Sequence, residues 1–433
     1  MNNSVFTVNF GWRKGLVALS PVVLFLCLYL AVSVIIGDFY KMPVSVALAA
    51  ASVWSVVIYR GKPLTERIEV YSRAAANPDI MYMIWVFVLA GAFASLAKGI
   101  GSVDATVQAV VGLLPTRFLV PGVFVASCLI SMAVGTSVGT VVALTPLAVE
   151  MANSAHGSVA FFVAVVLSGA FFGDNLSFIS DTTIAATRTQ GCGMKAKFRA
   201  NILIVLPAAL ITLAIYLFFS DGCYIHPSGH VAFDWLLILP YMLVIALALL
   251  GVNVTVVLAT GIIVTMVIGM WRGMWVMDAV QLLGEGIDSM GNLVVITLMA
   301  AGMLGVVKAL GGIDFVLGCL TRHVHGSRGA QASIAALTAI VNLCTANNTV
   351  AIITVGSVSR EICSRYGVAP RKAASLLDTA SCITQCLIPY GAQTLLATAL
   401  AGISPAAPWP YLIYPWMLAV MVMISIIVRR KKL

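Results

Sequence analysis

Residues 173–183 read GDNLSFISDTT, and this polar stretch lies inside an otherwise apolar run at 158–190. Gly, Ser, Thr and Asn favour turns and exposed backbone. Inside a bilayer, unpaired backbone groups cost several kcal/mol unless they are buried in protein or line a watery cavity. The stretch therefore predicts a transmembrane helix that is interrupted near its centre.

The composition of the whole chain indicates a membrane protein. Hydrophobic residues make up 61% of the 433 positions and charged residues only 9%, whereas soluble domains carry about 25% charged residues. Apolar runs near the length of about 20 residues that crosses a bilayer recur from end to end. These features exclude a soluble globular domain and predict an all-α polytopic membrane protein.

The charges of the loops predict the orientation. We place about 14 transmembrane segments at 15–36, 44–60, 79–98, 118–135, 138–152, 158–190, 200–219, 235–251, 254–271, 291–310, 329–345, 348–360, 373–402 and 411–428. With the N-terminus inside, 21 of the 25 Lys and Arg residues fall on the inner side, as the positive-inside rule requires. We therefore expect a multi-pass protein of the bacterial cytoplasmic (inner) membrane with both termini cytoplasmic.

The chain also repeats itself after about 210 residues. Three pairs of motifs match at this spacing: KGIGSVD at 98–104 with KALGGID at 308–314, GTVVALT at 139–145 with NTVAIIT at 348–354, and TIAATRTQG at 183–191 with TLLATALAG at 394–402. The loop at 152–157 has no Lys or Arg, while its counterpart at 360–372 has four. Equivalent loops on opposite sides indicate an inverted-topology repeat, as in secondary transporters; chance similarity between apolar stretches is the alternative.

This repeat predicts four regions. They are N-terminal transmembrane helices with a cytoplasmic linker at 1–78, a first transporter repeat at 79–219, connecting transmembrane helices at 220–290 and a second, inverted repeat at 291–433.

Each repeat contains two polar interruptions at matching positions. They are GTSVGT at 135–140 and the stretch at 173–183 in the first repeat, and NLCTANNT at 342–349 and IPYGAQT at 388–394 in the second. Matching breaks in two halves are the best sequence pointer to a transport site, so we expect broken helices and re-entrant elements there. The candidate cation-binding residues are Asp174, Asp181, Asn175, Ser177, Ser180, Thr182, Thr183, Ser137, Asn347, Asn348, Asp378 and Gln393.

These residues supply the carboxylate, amide and hydroxyl oxygens that a hard cation prefers. Carboxylates inside a membrane are expensive and are usually functional. Competition of sodium and a proton for one such carboxylate is the minimal mechanism of antiport, and Asp378 is a candidate second proton or ion site. The structural alternatives are a solvated loop carboxylate, an ion pair of Asp174 or Asp181 with Arg188, and helix packing by Asn347 and Asn348.

The stretches GTSVGT at 135–140, GDNLSFISDTTIAA at 173–186 and the second-repeat segment 342–401 resemble the NhaC-type sodium/proton antiporter family. The resemblance implies a cytoplasmic-membrane antiporter with Asp174 and Asp181 in the ion path. No cofactor is implied beyond the transported sodium and protons themselves. The family commonly has Pro after the first Ser of the break, where this chain has Phe178, whereas Pro389 is kept in the second repeat.

The predicted partners are small inorganic cations and the lipid bilayer, and a homodimer is left open. The net charge of +9 does not indicate a nucleic-acid partner, because the basic residues lie in short patches between apolar runs. The nine Cys residues show no metal-binding spacing.

Three other functions remain to be weighed. Relatives of the family include a malate/lactate exchanger, but an organic anion needs a cationic or helix N-terminal receptor, and the breaks contain no Lys or Arg. An intramembrane aspartyl protease would need a second helix with a matching Asp motif, so an enzyme is not expected. A channel would not depend on the proton gradient, and a measurement of coupling would distinguish it from an antiporter.

Overall fold

The computed structural model describes residues 12–36, 43–113, 116–177, 180–219, 234–321 and 326–428. All regular secondary structure in these ranges is helical, which confirms the all-α prediction. The first half contains α1 (Trp12–Ile36), α2 (Val44–Ile58), α3 (Leu64–Ala75), α4 (Pro78–Gly99), α5 (Ser102–Leu113), α6 (Leu119–Val134), α7 (Ser137–Ser154), α8 (Val159–Leu176), α9 (Asp181–Gln190) and α10 (Met194–Phe219).

The second half has the same order of helices. It contains α11 (Trp235–Leu249), α12 (Val254–Trp271), α13 (Val276–Ser289), α14 (Gly291–Ala309), α15 (Gly312–Thr321), α16 (Gly326–Thr345), α17 (Asn348–Tyr366), α18 (Pro370–Leu387), α19 (Ala392–Ala401) and α20 (Ile413–Ile427). Short 3-10 helices lie at Thr116–Phe118 and Trp409–Tyr411.

Several of the helices have the length and composition of membrane spans. Judged on the described residues alone, five stretches are long and apolar enough to cross a bilayer. Three are single helices, Ile80–Gly99, Met194–Phe219 and Val254–Trp271, and two extend over consecutive helices, Val159–Gln190 over α8 and α9 and Val276–Ala309 over α13 and α14. The described chain is thus a polytopic membrane fold, while the number of complete crossings stays a prediction. Both predicted cytoplasmic termini lie outside the described residues.

The predicted span at 158–190 consists of two helices, α8 and α9, and the predicted span at 373–402 consists of α18 and α19. Helix α8 is the centre of the molecule, because every residue from 160 to 176 is buried. Small residues allow this burial: a Cβ at Gly169 would lie 2.7 Å from the carbonyl oxygen of Phe124 on α6.

Two helical hairpins pack against the broken helices. Gly135 and Thr136 join α6 to α7, and Ala346 and Asn347 join α16 to α17. The first residue of each turn is left-handed, with φ of +73° at Gly135 and +49° at Ala346. Each hairpin tip lies beside a break: Ser137 contacts Asp174 at the first, and Gln385 at the second donates to the carbonyl oxygen of Ala346. That these hairpins re-enter the membrane stays a prediction.

The two halves contact each other reciprocally. Helix α3 packs on α14 while α13 packs on α4, and α7 packs on α19 while α17 packs on α9. Such exchanged pairs are what a pseudo-two-fold axis between the halves produces. The first residues of corresponding helices also recur at a nearly constant spacing, from α2 and α12 onward. The correspondence therefore includes α2 and α3, which precede the predicted first repeat, and α12 and α13, which precede the predicted second repeat. The division into four regions stays a prediction.

Candidate functional site

Asp174 is the carboxylate at the centre of the candidate site. It lies in the last turn of α8 and is 5% exposed. Ser137, the first residue of α7, donates a hydrogen bond of 3.0 Å to its Oδ2. Asn348, the first residue of α17, places Nδ2 3.4 Å from the same oxygen. Three helix ends from both halves therefore meet at one carboxylate.

A chain of amide groups extends this contact into the second half. Gln393 on α19 donates to the hydroxyl oxygen of Ser137 at 3.0 Å, and Gln385 on α18 donates to Oε1 of Gln393 at 3.1 Å. The ion pairs of the described residues do not include Asp174. The carboxylate of Asp174 thus has only neutral hydrogen-bond donors in the part of the chain that the structure describes.

The hydroxyl groups of the first break satisfy its backbone carbonyls. Ser180 donates to the carbonyl oxygen of Asp174 at 2.7 Å, and Thr182 Oγ1 lies 3.4 Å from the same oxygen. Thr183 donates to the carbonyl oxygen of Ser177 at 2.8 Å. Because a buried, unpaired polar group costs about 1–3 kcal/mol, these hydroxyls stabilise the interruption of the helix as well as lining it.

A buried lysine lies beside the same break. Lys197 on α10 is 1% exposed and forms an ion pair with Asp378 on α18, whose side chain is 0% exposed. Its ammonium also donates to the carbonyl oxygen of Asn175 at 2.6 Å and to Thr183 Oγ1 at 2.7 Å. All three donors of the ammonium group therefore have acceptors. The breaks themselves contain no Lys or Arg, and this cationic group comes from the neighbouring helix α10.

Asn201, one turn after Lys197, connects α10 to α8 and α18. Its Nδ2 donates to the carbonyl oxygen of Asn175 at 3.0 Å and to Oδ1 of that residue at 2.5 Å. Its own Oδ1 accepts from Ser375 at 2.5 Å and from Thr379 at 3.2 Å. The i, i+4 spacing of Lys197 and Asn201 places both side chains on one face of α10. Two polar residues at this spacing near the start of an apolar helix are the sequence pattern from which their place in the site could have been predicted.

Two predicted site residues lie apart from this cluster. Asp181 is exposed as the first residue of α9, where the helix dipole favours a negative charge. Asn347 is the N-cap of α17, because its Oδ1 accepts from the backbone N–H of Val350 at 3.0 Å. The other ten of the twelve predicted residues join one network with Lys197 and Asn201.

Arg188 and Phe178 are two further residues that the sequence singled out. The ion pairs of the described residues do not join Arg188 to Asp174 or Asp181. Phe178, which replaces the proline common in the break, lies outside the described residues.

Comparison with protein families gives one match that extends over nearly the whole chain. A family model described as the Na+/H+ antiporter family matches residues 21–220 and 232–429. The two matched stretches correspond to α1–α10 and α11–α20.

Similar proteins include antiporters of different substrates. The chain is 21% identical to the malate-2H(+)/Na(+)-lactate antiporter of Bacillus subtilis (strain 168), over 73% of this chain and 76% of that protein. It is 24% identical to the Na(+)/H(+) antiporter NhaC of the same organism, over 75% and 78% of the two chains. It is 23% identical to the arginine/ornithine antiporter ArcD of Halobacterium salinarum, over 68% and 69%. Among solved structures, the YdaH transporter of Alcanivorax borkumensis matches with a TM-score of 0.40 and 13% identity, over 95% of this chain and 97% of that chain.

Proposed function

The chain belongs to the Na+/H+ antiporter family, and from this we propose that it exchanges sodium for protons across the cytoplasmic membrane, with both cations competing for the carboxylate of Asp174. The observation that carries the proposal is the burial of this carboxylate, between the two halves, among neutral donors. Secondary transporters place their substrate site at the interface of their repeats.

The physical argument starts from the cost of an isolated charge. An ionised carboxylate that is buried without a partner costs several kcal/mol. Asp378 avoids this cost through Lys197, whereas the described ion pairs leave Asp174 without a fixed cation. Asp174 therefore needs a mobile cation, either a proton or a metal ion, whenever its site is closed to water.

The groups around Asp174 can accept either cation. The hydroxyl oxygen of Ser137 has lone pairs as well as a hydrogen. The side-chain amide of Asn348 presents nitrogen to Asp174 in this structure, and a half-turn of the amide group would present oxygen instead. With a proton on Asp174 the neutral donors and acceptors can rearrange at little cost. With sodium bound, carboxylate, hydroxyl and amide oxygens would supply the hard ligands that the ion prefers.

The exposed residue Asp181 has a different place in the proposal. It begins α9 just beyond the break that contains Asp174. An exposed carboxylate near a closed site attracts cations and raises their local concentration. We therefore assign Asp181 to the access path rather than to the bound ion.

A second candidate function is exchange of organic anions coupled to protons or sodium. Lys197 is the observation that favours it, because a buried cation beside the break could bind a carboxylate if it left Asp378. The relative named as a malate/lactate antiporter is consistent with this alternative. Against it, all three donors of the ammonium are already paired within the protein.

Everted membrane vesicles distinguish the two functions. Respiration acidifies their interior, and a pH-sensitive dye reports the loss of the gradient when an exchanged substrate is added outside. We expect sodium, and lithium more weakly, to dissipate the gradient, while potassium and malate leave it intact. Vesicles preloaded with lactate test the alternative: uptake of labelled malate that requires the internal lactate, with no response of the gradient to sodium alone, would establish the anion exchanger instead.

A further inference from the structure

We propose that the ammonium group of Lys197 is a tethered cation that fills a second cation site, formed by Asp378, Thr183 and the carbonyl oxygen of Asn175, and that this site binds a free monovalent metal cation when the lysine charge is removed. The inference rests on the proposed function, because it describes how many mobile cations the transport site holds.

The surroundings of the ammonium are those of a small cation site. One carboxylate, one hydroxyl and one backbone carbonyl point their oxygens at the nitrogen, with N···O distances of 2.6 Å to Asn175 and 2.7 Å to Thr183. Carboxylate, hydroxyl and carbonyl oxygens are the ligands of hard metal cations. Carbonyls freed by a broken helix are the groups that coordinate sodium in other transporter architectures.

The hydroxyl of Thr183 is oriented toward a cation by its own hydrogen bond. It donates its single hydrogen to the carbonyl oxygen of Ser177 at 2.8 Å. The same oxygen therefore presents lone pairs to the ammonium of Lys197. This hydrogen bond is made within the break and does not involve the lysine.

Besides Lys197, the donors to the carboxylate of Asp378 in the described residues are weak, since Thr183 Oγ1 lies 3.5 Å from Oδ2. The thiol of Cys382 lies 3.7 Å from Oδ1 and is a weak donor. Removal of the lysine charge would leave Asp378 as an uncompensated charge in the core, which is strongly unfavourable. A mobile cation would then be drawn to the vacated position.

The ion pair also connects the two halves, because Lys197 lies in the first half and Asp378 in the second. A lysine at this position therefore limits the closed transporter to one mobile cation, at Asp174. A chain with a neutral residue in place of Lys197 would carry two.

Thermal unfolding of the full-length protein in detergent tests the inference, with sodium chloride varied against choline chloride at constant ionic strength. The background is Asp174→Asn, which removes the first cation site of the proposed function. We expect this variant to show no sodium-dependent rise in Tm. Addition of Lys197→Gln should restore a rise of about 3–6 °C between 1 and 300 mM sodium, and further addition of Asp378→Asn should abolish it. Lys197→Arg keeps the charge and should leave the site closed to sodium.

The outcomes separate the two proposals. No sodium response in Asp174→Asn/Lys197→Gln would overturn the second site while leaving the first intact. A full sodium response in Asp174→Asn alone, unchanged by Lys197→Gln, would overturn both. If the combined variant does not fold, Lys197→Gln with Asp174 retained decides: the number of sodium ions bound per protein at saturation should double relative to wild type, and an unchanged stoichiometry would refute the second site.

Discussion

The side-chain amide nitrogen of Asn348 lies 3.4 Å from Oδ2 of Asp174, and this contact joins the tip of the second hairpin to the broken helix of the first half. The equivalent tip residue of the first hairpin, Ser137, contacts the same oxygen at 3.0 Å. Two pseudo-symmetric hairpins thus converge on a single carboxylate. The two halves differ chemically at this position. The residue of the second half that corresponds to Asp174, 211 positions later, is Gln385, which carries a neutral amide.

Replacement of Asp174 tests this centre in the functioning protein. Asp174→Asn removes the charge at the convergence point while keeping the size of the side chain, so we expect sodium-dependent proton movement in everted vesicles to fall at least 100-fold. Asp181→Asn should lower the rate only about 2- to 10-fold, because an exposed charge affects the encounter of the cation with the site. Loss of exchange in Asp181→Asn with normal exchange in Asp174→Asn would reverse the assignment.

Ser137→Ala removes one of the donors to the carboxylate. A hydrogen bond to a charged group contributes about 1.5–3 kcal/mol, so we expect the sodium concentration for half-maximal exchange to rise about 10-fold. Ser168→Ala is the matched control, because Ser168 is also a buried serine but accepts from Tyr216 at 3.1 Å. Equal effects of the two substitutions on half-saturation would mean that Ser137 acts only through packing.

The ion pair of Lys197 and Asp378 should matter for stability in a way that an exposed pair does not. Asp378→Asn leaves a buried ammonium uncompensated, which costs roughly 3–5 kcal/mol and should lower Tm clearly in detergent. Asp234→Asn breaks the exposed pair with Arg272 and should change Tm little, because solvent screens such pairs. The prediction fails if the two variants have the same Tm.

Helix α8 should not tolerate a larger residue where it crosses α6. In Gly169→Ala the new methyl group would lie 2.7 Å from the carbonyl oxygen of Phe124, and overpacking of this kind costs about 1–3 kcal/mol. Gly284→Ala on α13 is the control, because a methyl group there would have nothing within 4 Å. We expect a lower Tm for the first variant and an unchanged or higher Tm for the second; the reverse order would contradict the packing.

The break of α8 and α9 could be predicted from the sequence because its cause is local. Polar, turn-forming residues inside an apolar run leave backbone groups that only a buried or watery site can satisfy. The second break and the hairpin tips followed from the repeat spacing. These features depend on residue types and their order along the chain, which the sequence contains completely.

The positions of Asp181 and Lys197 could not be predicted in the same way. Asp174 and Asp181 are seven residues apart and would share a face of an unbroken helix, but α8 ends at Leu176 and a separate helix begins at Asp181, which is exposed. Lys197 lies in a basic stretch that the positive-inside rule assigns to a loop. Its burial depends on the packing of α10 against α8 and α18, which no local pattern records.

Release of protons upon sodium binding tests the central claim most directly. Sodium chloride is added to the purified protein in weakly buffered detergent solution near neutral pH, with choline chloride as the control, and the pH change is followed with an indicator dye. If sodium and a proton compete for Asp174, the wild-type protein releases protons in proportion to sodium binding, while Asp174→Asn binds sodium weakly and releases none. Sodium binding without proton release, or equal proton release from Asp174→Asn, would contradict the account.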